Sequence, residues 1–306
     1  DGNTDDVLYF ADNMGMLHAV DTDDGSEIFA FIPQDLLPNI DEYYQNNATL
    51  QKVYGLDGPV SVWINDINGD GQIQGEDHVY LYIGMRRGGR NYYALNVTDR
   101  NNPKLLFQIT GGVDDFEELG QTWSTPKLAK VKWNCSTDHC DTDGEFREVI
   151  FFSGGYDTHQ DATVLASTAA NKNDSEGRAI FMIDAETGEH IWSIGYGGDE
   201  HTVEDAEMLN SFTADVSVID RDGDTFSDTL FAVDILGTVW RFDLSENPEN
   251  SAGNLLVNHG KIADLSGSDV VSGAEYHHRF YNTPDVAFFN SAVDGAYLTI
   301  SVGSGY

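Results

Sequence analysis

The segment Asp220-Arg-Asp222-Gly-Asp224-Thr-Phe226-Ser-Asp228 places carboxylates at its first, third, fifth and ninth positions. In a tight loop, alternate residues turn their side chains to one side, so these acids converge. Calcium takes about six to eight oxygen ligands at roughly 2.3–2.6 Å in a flexible shell. A main-chain carbonyl at Phe226 would add to the carboxylates. The competing description is a solvated acidic turn. Acids this dense repel one another without a cation among them, which favours the metal. The segment is therefore predicted to hold Ca2+ through Asp220, Asp222, Asp224, Phe226 (main chain) and Asp228.

A second stretch reads Asp66-Ile-Asn68-Gly-Asp70-Gly71-Gln72-Ile-Gln74-Gly-Glu76-Asp77. It follows the twelve-residue calcium-loop pattern, with Gly71 where the sharp turn falls and an acid at the end. Asp77 stands where Glu is usual, so closure is either shorter or shared with Glu76. A second Ca2+ site is expected at Asp66, Asn68, Asp70, Gln72 and Asp77, giving one or two ions in all. Strands on either side would serve in place of helices. Two shorter acidic stretches, Asp1–Asp6 and Asp141–Glu145, are expected to be metal-free turns, because so acidic a chain must cluster some acids by composition alone.

The elements that position these loops are strands. Val7–Asp12, Val79–Gly84, Val149–Gly154 and Thr229–Asp234 are short runs of β-branched and aromatic residues. Each is followed by a Gly-bearing turn and a second run ending in Asp or Asn, such as Leu17–Asp21 and Val239–Asp243. Third runs follow, as in Glu27–Ile32, and opening runs precede from Val60, Pro126, Val216 and Val286. Repeated four-stranded antiparallel units predict an all-β, modified β-propeller with long loops, incomplete here at both ends. A generic β-sandwich is the competing fold. We expect a single domain over 1–306, with a partial blade at 1–53, blades near 54–118, 119–205 and 206–270, and a partial blade at 271–306. The chain opens just before a strand pattern and closes inside one, as expected for a piece of a longer protein.

Composition narrows the function. Sixteen Lys and Arg against 52 Asp and Glu give a net charge of −36. Such a field repels phosphate backbones, so no nucleic-acid partner is expected. No apolar run approaches the roughly 18–20 residues of a membrane span. Cys135 and Cys140, flanking His139, predict a small disulfide clip and an extracytoplasmic home. No hydrolase elbow, zinc-protease motif or phosphate loop is present, and no enzyme activity is expected. His277 and His278 are expected to be structural, as neighbours on a strand point to opposite faces. Arg86, Arg87 and Arg90 are expected to pair with nearby acids.

Further blocks carry a family resemblance. Gly84-Met-Arg-Arg-Gly-Gly-Arg90 with Tyr93–Thr98 and Pro103, Asn13-Met-Gly-Met-Leu-His-Ala19, Trp123-Ser-Thr-Pro126, Gly154-Gly-Tyr156, Gly237–Asp243 and Phe280-Tyr-Asn-Thr-Pro284 appear in family order. Together they resemble the carboxy-terminal propeller of the PilY-type type IV pilus assembly and adhesion proteins. The resemblance implies an extracellular protein at the pilus tip or outer cell surface, acting with minor pilins or other pilus components in pilus assembly, twitching motility and surface adhesion. It also implies a regulatory calcium loop, carried over to Asp220, Asp222, Asp224, Phe226 and Asp228. Any surface or host ligand would engage amino-terminal modules outside this sequence. Two alternatives stand beside it. Asp184-Ala-Glu-Thr-Gly188 with Ile191-Trp192 resembles quinoprotein dehydrogenase repeats, although the adjacent cysteines of many such enzymes are missing. A purely structural pilus-tip cap with a permanent calcium staple is the other.

Overall fold

The computed structural model describes residues 6–45, 52–133, 146–161, 173–197, 201–245, 255–271, 274–291 and 295–305. Cys135, His139, Cys140, Asp1–Asp5 and the acidic stretch at 141–145 lie outside them. The chain divides into two compact units, Asp1–Thr110 with Gln121–Pro126, and Gly111–Gly120 with Lys127–Tyr306.

The first unit opens with an antiparallel meander of β1 (Val7–Ala11), β2 (Leu17–Asp21) and β3 (Glu27–Phe31). A 3-10 turn (Gln34–Asn39) and helix α1 (Ile40–Gln45) follow, an insertion the strand pattern did not anticipate. Next comes a four-stranded sheet, β4 (Val60–Asn65), β5 (His78–Gly84), β6 (Tyr92–Asn96) and β7 (Lys104–Ile109), in sequential order. The middle strands are buried along most of their length while β7 is mostly exposed or half-buried, which is why β5 and β6 read as near-continuous apolar runs. Leu17, Leu36, Leu56, Leu81, Ile83 and Tyr93 form the core, and Leu36 ties the helical insertion into it.

The second unit holds a five-stranded sheet of β8 (Lys127–Lys132), β9 (Phe146–Ser153), β10 (Ala179–Asp184), β11 (His190–Gly195) and a short parallel edge strand β12 (Val203–Glu204). A four-stranded sheet follows, β13 (Ser217–Ile219), β14 (Thr229–Val233), β15 (Thr238–Leu244) and β16 (Leu256–Asp264). Two hairpins complete it, β17 (Ser268–Val271) with β18 (Ala274–His277), and β19 (Asp285–Ser291) with β20 (Gly295–Ser301). Trp192, Trp240, Phe151, Phe212 and Phe242 are fully buried in its core. Burying one such aromatic removes about 150–250 Å² from water, about 4–6 kcal/mol of gross stabilisation before entropy is counted. The all-β architecture of four-stranded, propeller-type sheets is as the sequence predicts. Neither β16 nor the β17–β18 hairpin is apparent in the apolar pattern. No helix among the described residues is long and apolar enough to cross a membrane.

Candidate metal centres in two acidic loops

Each acidic loop connects the first and second strands of a four-stranded sheet. Residues 66–77 lie between β4 and β5, and residues 220–228 lie between β13 and β14. Their backbones are held by the same set of hydrogen bonds. The carboxylate of Asp66 accepts from the amides of Gly69 and Gly71 at 2.8 and 2.7 Å. Asp220 accepts from Gly223 and Thr225 at 2.7 and 2.8 Å. At the third position, Asn68 Oδ1 accepts from Asp70 N, and Asp222 Oδ1 from Asp224 N. At the fifth, Asp70 Oδ1 accepts from Gln72 N, and Asp224 Oδ1 from Phe226 N. Short acidic and amide side chains capture nearby amides in this way, and so wind a chain into a tight loop.

The sixth residue is left-handed in both, with φ of 77° at Gly71 and 79° at Thr225. Glycine takes this conformation freely, whereas for a β-branched threonine it is strained by about 1–3 kcal/mol. Thr225 N–H donates to Asp220 Oδ2, which holds the residue there.

The last acid closes each loop onto its second residue. Ile67 N donates to Asp77 Oδ1 at 3.0 Å, and Arg221 N to Asp228 Oδ2 at 3.1 Å. Asp77 and Asp228 are both buried at the start of the following strand. In the first loop the backbone contact is made by Asp77, while Glu76 is exposed. The amides of Gln74 and Ile67 hold the Asp77 carboxyl below the usual carboxylate range.

Asp220, Asp222 and Asp224 each offer an oxygen within 4.8 Å of the others. Two ligands on one calcium lie no more than about 5 Å apart, given bonds of about 2.3–2.6 Å. The donors are hard oxygens, as calcium requires, and a carboxylate oxygen that accepts one amide keeps a lone pair for a cation. Desolvation, with the Asp224 charge adding to it, pushes the Asp222 carboxyl up. Asp224 is desolvated as well, yet the Lys132 ammonium and the Phe226 amide outweigh this and hold it low. Lys132, at the end of β8, reaches Asp224 Oδ2 at 2.6 Å and lies 5.8 Å from the centre of the Phe226 ring. In the other loop, Gln74 Nε2 donates to Asp70 Oδ2 at 3.0 Å. Sequence spacing could not reveal Lys132, because it lies in a different sheet from the loop it meets. A partial signal was available: it is one of only 16 basic residues, on an alternating Lys-rich strand.

The other singled-out residues have structural partners. Arg86 and Arg87 stack over the Trp123 ring at 4.7 and 4.9 Å. His18 lies between Glu27 and Asp12, and His278 Nε2 is 3.0 Å from Asp269 Oδ2.

These four-stranded antiparallel sheets are of the β-propeller type. Over 97% of its length the chain superposes on the PilY1 C-terminal domain of Pseudomonas aeruginosa, with a TM-score of 0.58 at 24% identity and 52% of that chain covered. It also aligns with the quinohemoprotein alcohol dehydrogenase of Comamonas testosteroni, at a TM-score of 0.48 and 14% identity, over 98% of this chain and 38% of that one. No family model matches. In sequence, the chain is homologous to the PilY1 type IV pilus biogenesis factors. It is 29% identical to PilY1 of Pseudomonas aeruginosa PAO1 over 244 residues, 78% of this chain. It is 28% identical to a PilY1 homologue of Xylella fastidiosa over 249 residues, 79% of this chain. It spans only 16–17% of the length of those relatives.

Proposed function

We propose that this chain is a calcium-responsive propeller portion of a type IV pilus biogenesis factor, acting outside the cell and without catalysis of its own. The observation that carries the reading is the paired acidic loop: one hydrogen-bond pattern, built twice, on a chain homologous to PilY1 factors. Calcium would be held by Asp220, Asp222, Asp224 and Asp228 with the Phe226 carbonyl, and by Asp66, Asn68, Asp70, Gln72 and Asp77. Bound there, the ion supplies charge neutralisation and oxygen crosslinking. The protein's part is to hold converging oxygens at fixed spacing, because the amides of each loop already orient its carboxylates.

If only the folded loop binds the ion, calcium at a hundredfold excess over Kd stabilises by about 2.7 kcal/mol. Extracellular calcium modules bind with Kd of about 10⁻⁴–10⁻³ M, so ambient calcium would order the loops and the surface they present. Minor pilins or other pilus components are the partners of that surface, and pilus assembly, twitching motility and surface adhesion are the outcomes it serves.

The test is calorimetric titration of metal-stripped protein with calcium, alongside twitching assays in cells carrying Asp222→Ala with Asp224→Ala. We expect loss of one site and impaired motility. Unchanged calcium uptake would reject the metal assignment. Lost uptake with normal motility would reject the regulatory role and leave a structural staple, for which nanomolar affinity in the parent chain would be the mark.

A further inference from the structure

Arg86 lies in the turn between β5 and β6 with a backbone φ of 52°, in the left-handed region that a residue bearing Cβ seldom adopts. The fold enforces this conformation. The amides of Met85 and Arg86 both donate to Thr122 Oγ1, at 2.8 and 3.2 Å, and Gly88 N donates to Met85 O at 3.0 Å. Backbone strain persists only where its surroundings over-determine it, and it gathers at binding sites. The Arg86 side chain is exposed, and its guanidinium carbon lies 4.7 Å from the centre of the half-buried Trp123 ring. Stacking occupies a face of the guanidinium and leaves the edge that bears its N–H donors. Among the described residues no hydrogen bond or ion pair takes those donors. The acid partner expected from the sequence is thus missing at Arg86, whereas Arg100, Arg147, Arg178 and Arg241 each pair with Asp or Glu. Asp57 serves the neighbouring residue instead, accepting from Arg87 N at 3.2 Å.

A stacked guanidinium with an open edge is preformed for a planar oxyanion, which it grips through two parallel N–H···O bonds. Stacking also orders the long side chain beforehand, so less rotamer freedom is lost on binding. Arg and Trp are enriched among the residues that dominate protein interfaces. A carboxylate carries one charge into this chain's field of −36, whereas a phosphate dianion is repelled about twice as strongly. We propose that the β5–β6 turn is a docking point for a carboxylate of another protein, gripped by the Arg86 guanidinium edge above Trp123. An Asp or Glu side chain and a free carboxy terminus present the same group. The 66–77 loop enters β5 at its start and this turn leaves it at its end, so the proposal does not rest on calcium.

The test is run in chelator on the purified chain. It is titrated with acetyl-Leu-Glu-Leu-amide, with acetyl-Leu-Gln-Leu-amide as the neutral isostere, with acetyl-Leu-Gln-Leu bearing a free carboxy terminus, and with inorganic phosphate. The indole N–H resonance of Trp123, present in parent and variants, reports binding. We expect saturable millimolar binding of at least one carboxylate peptide and none of the amidated Gln peptide. Arg86→Asn should weaken binding about tenfold, the loss expected for hydrogen bonds to a charged group. Asn tolerates the left-handed backbone, so this variant keeps the turn. Arg86→Lys should weaken binding too, because it keeps the charge and loses the fork. Response to the Glu peptide alone identifies a side chain as the source, response to the free carboxy terminus alone identifies a chain end, and response to both admits either. No response to any carboxylate, an equal response to phosphate, or parent affinity in Arg86→Asn or Arg86→Lys would overturn the assignment.

Discussion

Lys132 holds its ammonium nitrogen 2.6 Å from Asp224 Oδ2, one of the three carboxylates that converge in the second acidic loop. Its side chain is only 12% exposed. A divalent ion at that loop must share Asp224 with this ammonium or displace it. Two charges about 4 Å apart interact by about 1 kcal/mol in water and about 4 at an effective dielectric of 20. Asp224 is 34% exposed, so the lower figure applies. Lys132→Gln should therefore tighten calcium binding by about fivefold. Calorimetry on the chelator-stripped variant checks it, and weaker or unchanged binding would show that the ammonium does not compete.

The two loops show what a sequence can and cannot disclose. The convergence of Asp220, Asp222 and Asp224 was legible because spacing in a loop is local, set by residues two apart. Repeated strand, turn and strand runs were legible for the same reason, since buried inner strands such as β10 and β14 leave unbroken apolar stretches. The partner of Asp224 was not legible: Lys132 is 92 residues away and arrives through sheet packing. Nor was β16, whose residues are all exposed or half-buried and so show no apolar run. The helical insertion after β3 was missed because it contributes only Leu36 and Tyr43 to the buried set. In the first loop, sequence left closure open between Glu76 and Asp77. The structure shows Asp77 buried and accepting two loop amides while Glu76 is exposed.

Two histidines give the units opposite responses to pH. Hydrogen bonding to Glu27, reinforced by Asp12, raises the His18 pKa above its ordinary value near 6.5. A raised folded-state pKa contributes stability below about pH 6.5, which is lost as pH rises through the folded value. His190 is the reverse: burial lowers its pKa, only partly countered by Asp115. Its contribution is intact above about pH 6.5 and is lost as pH falls toward the lowered value. His18→Gln should remove the acid-side stabilisation of the first unit, and His190→Phe should flatten the acid-side loss of the second. Urea unfolding of parent and variants from about pH 5 to 8 reads both, and parallel profiles would refute the assignment.

Gly88 fixes the arginine hairpin by close backbone approach. A Cβ built there would lie 1.7 Å from the carbonyl oxygen of Gly55. Backbone cannot rotate aside as a side chain can, so Gly88→Ala must shift the turn carrying Arg86 and Arg87 over Trp123. We expect a loss of about 1–3 kcal/mol, the usual range for overpacking. The midpoint of chemical denaturation measures it, with Gly25→Ala as a comparison that meets no neighbour within 4 Å and carries only the strain of its φ of 76°.

Asp77 and Glu76 are adjacent acids with different duties, and substitution should separate them. Asp77 accepts from Ile67 N and Gln74 N, both at 3.0 Å, and is 7% exposed, whereas Glu76 is exposed. Asp77→Ala strands the Ile67 and Gln74 amides, which should destabilise the first unit even in chelator. It should also abolish calcium uptake by that loop. Glu76→Ala should leave stability within about 0.5 kcal/mol of the parent, as surface substitutions do. Paired denaturation and calcium titrations of both variants distinguish the roles. Equal losses at the two positions would mean that closure is shared, and that the buried geometry of Asp77 does not decide the ligand.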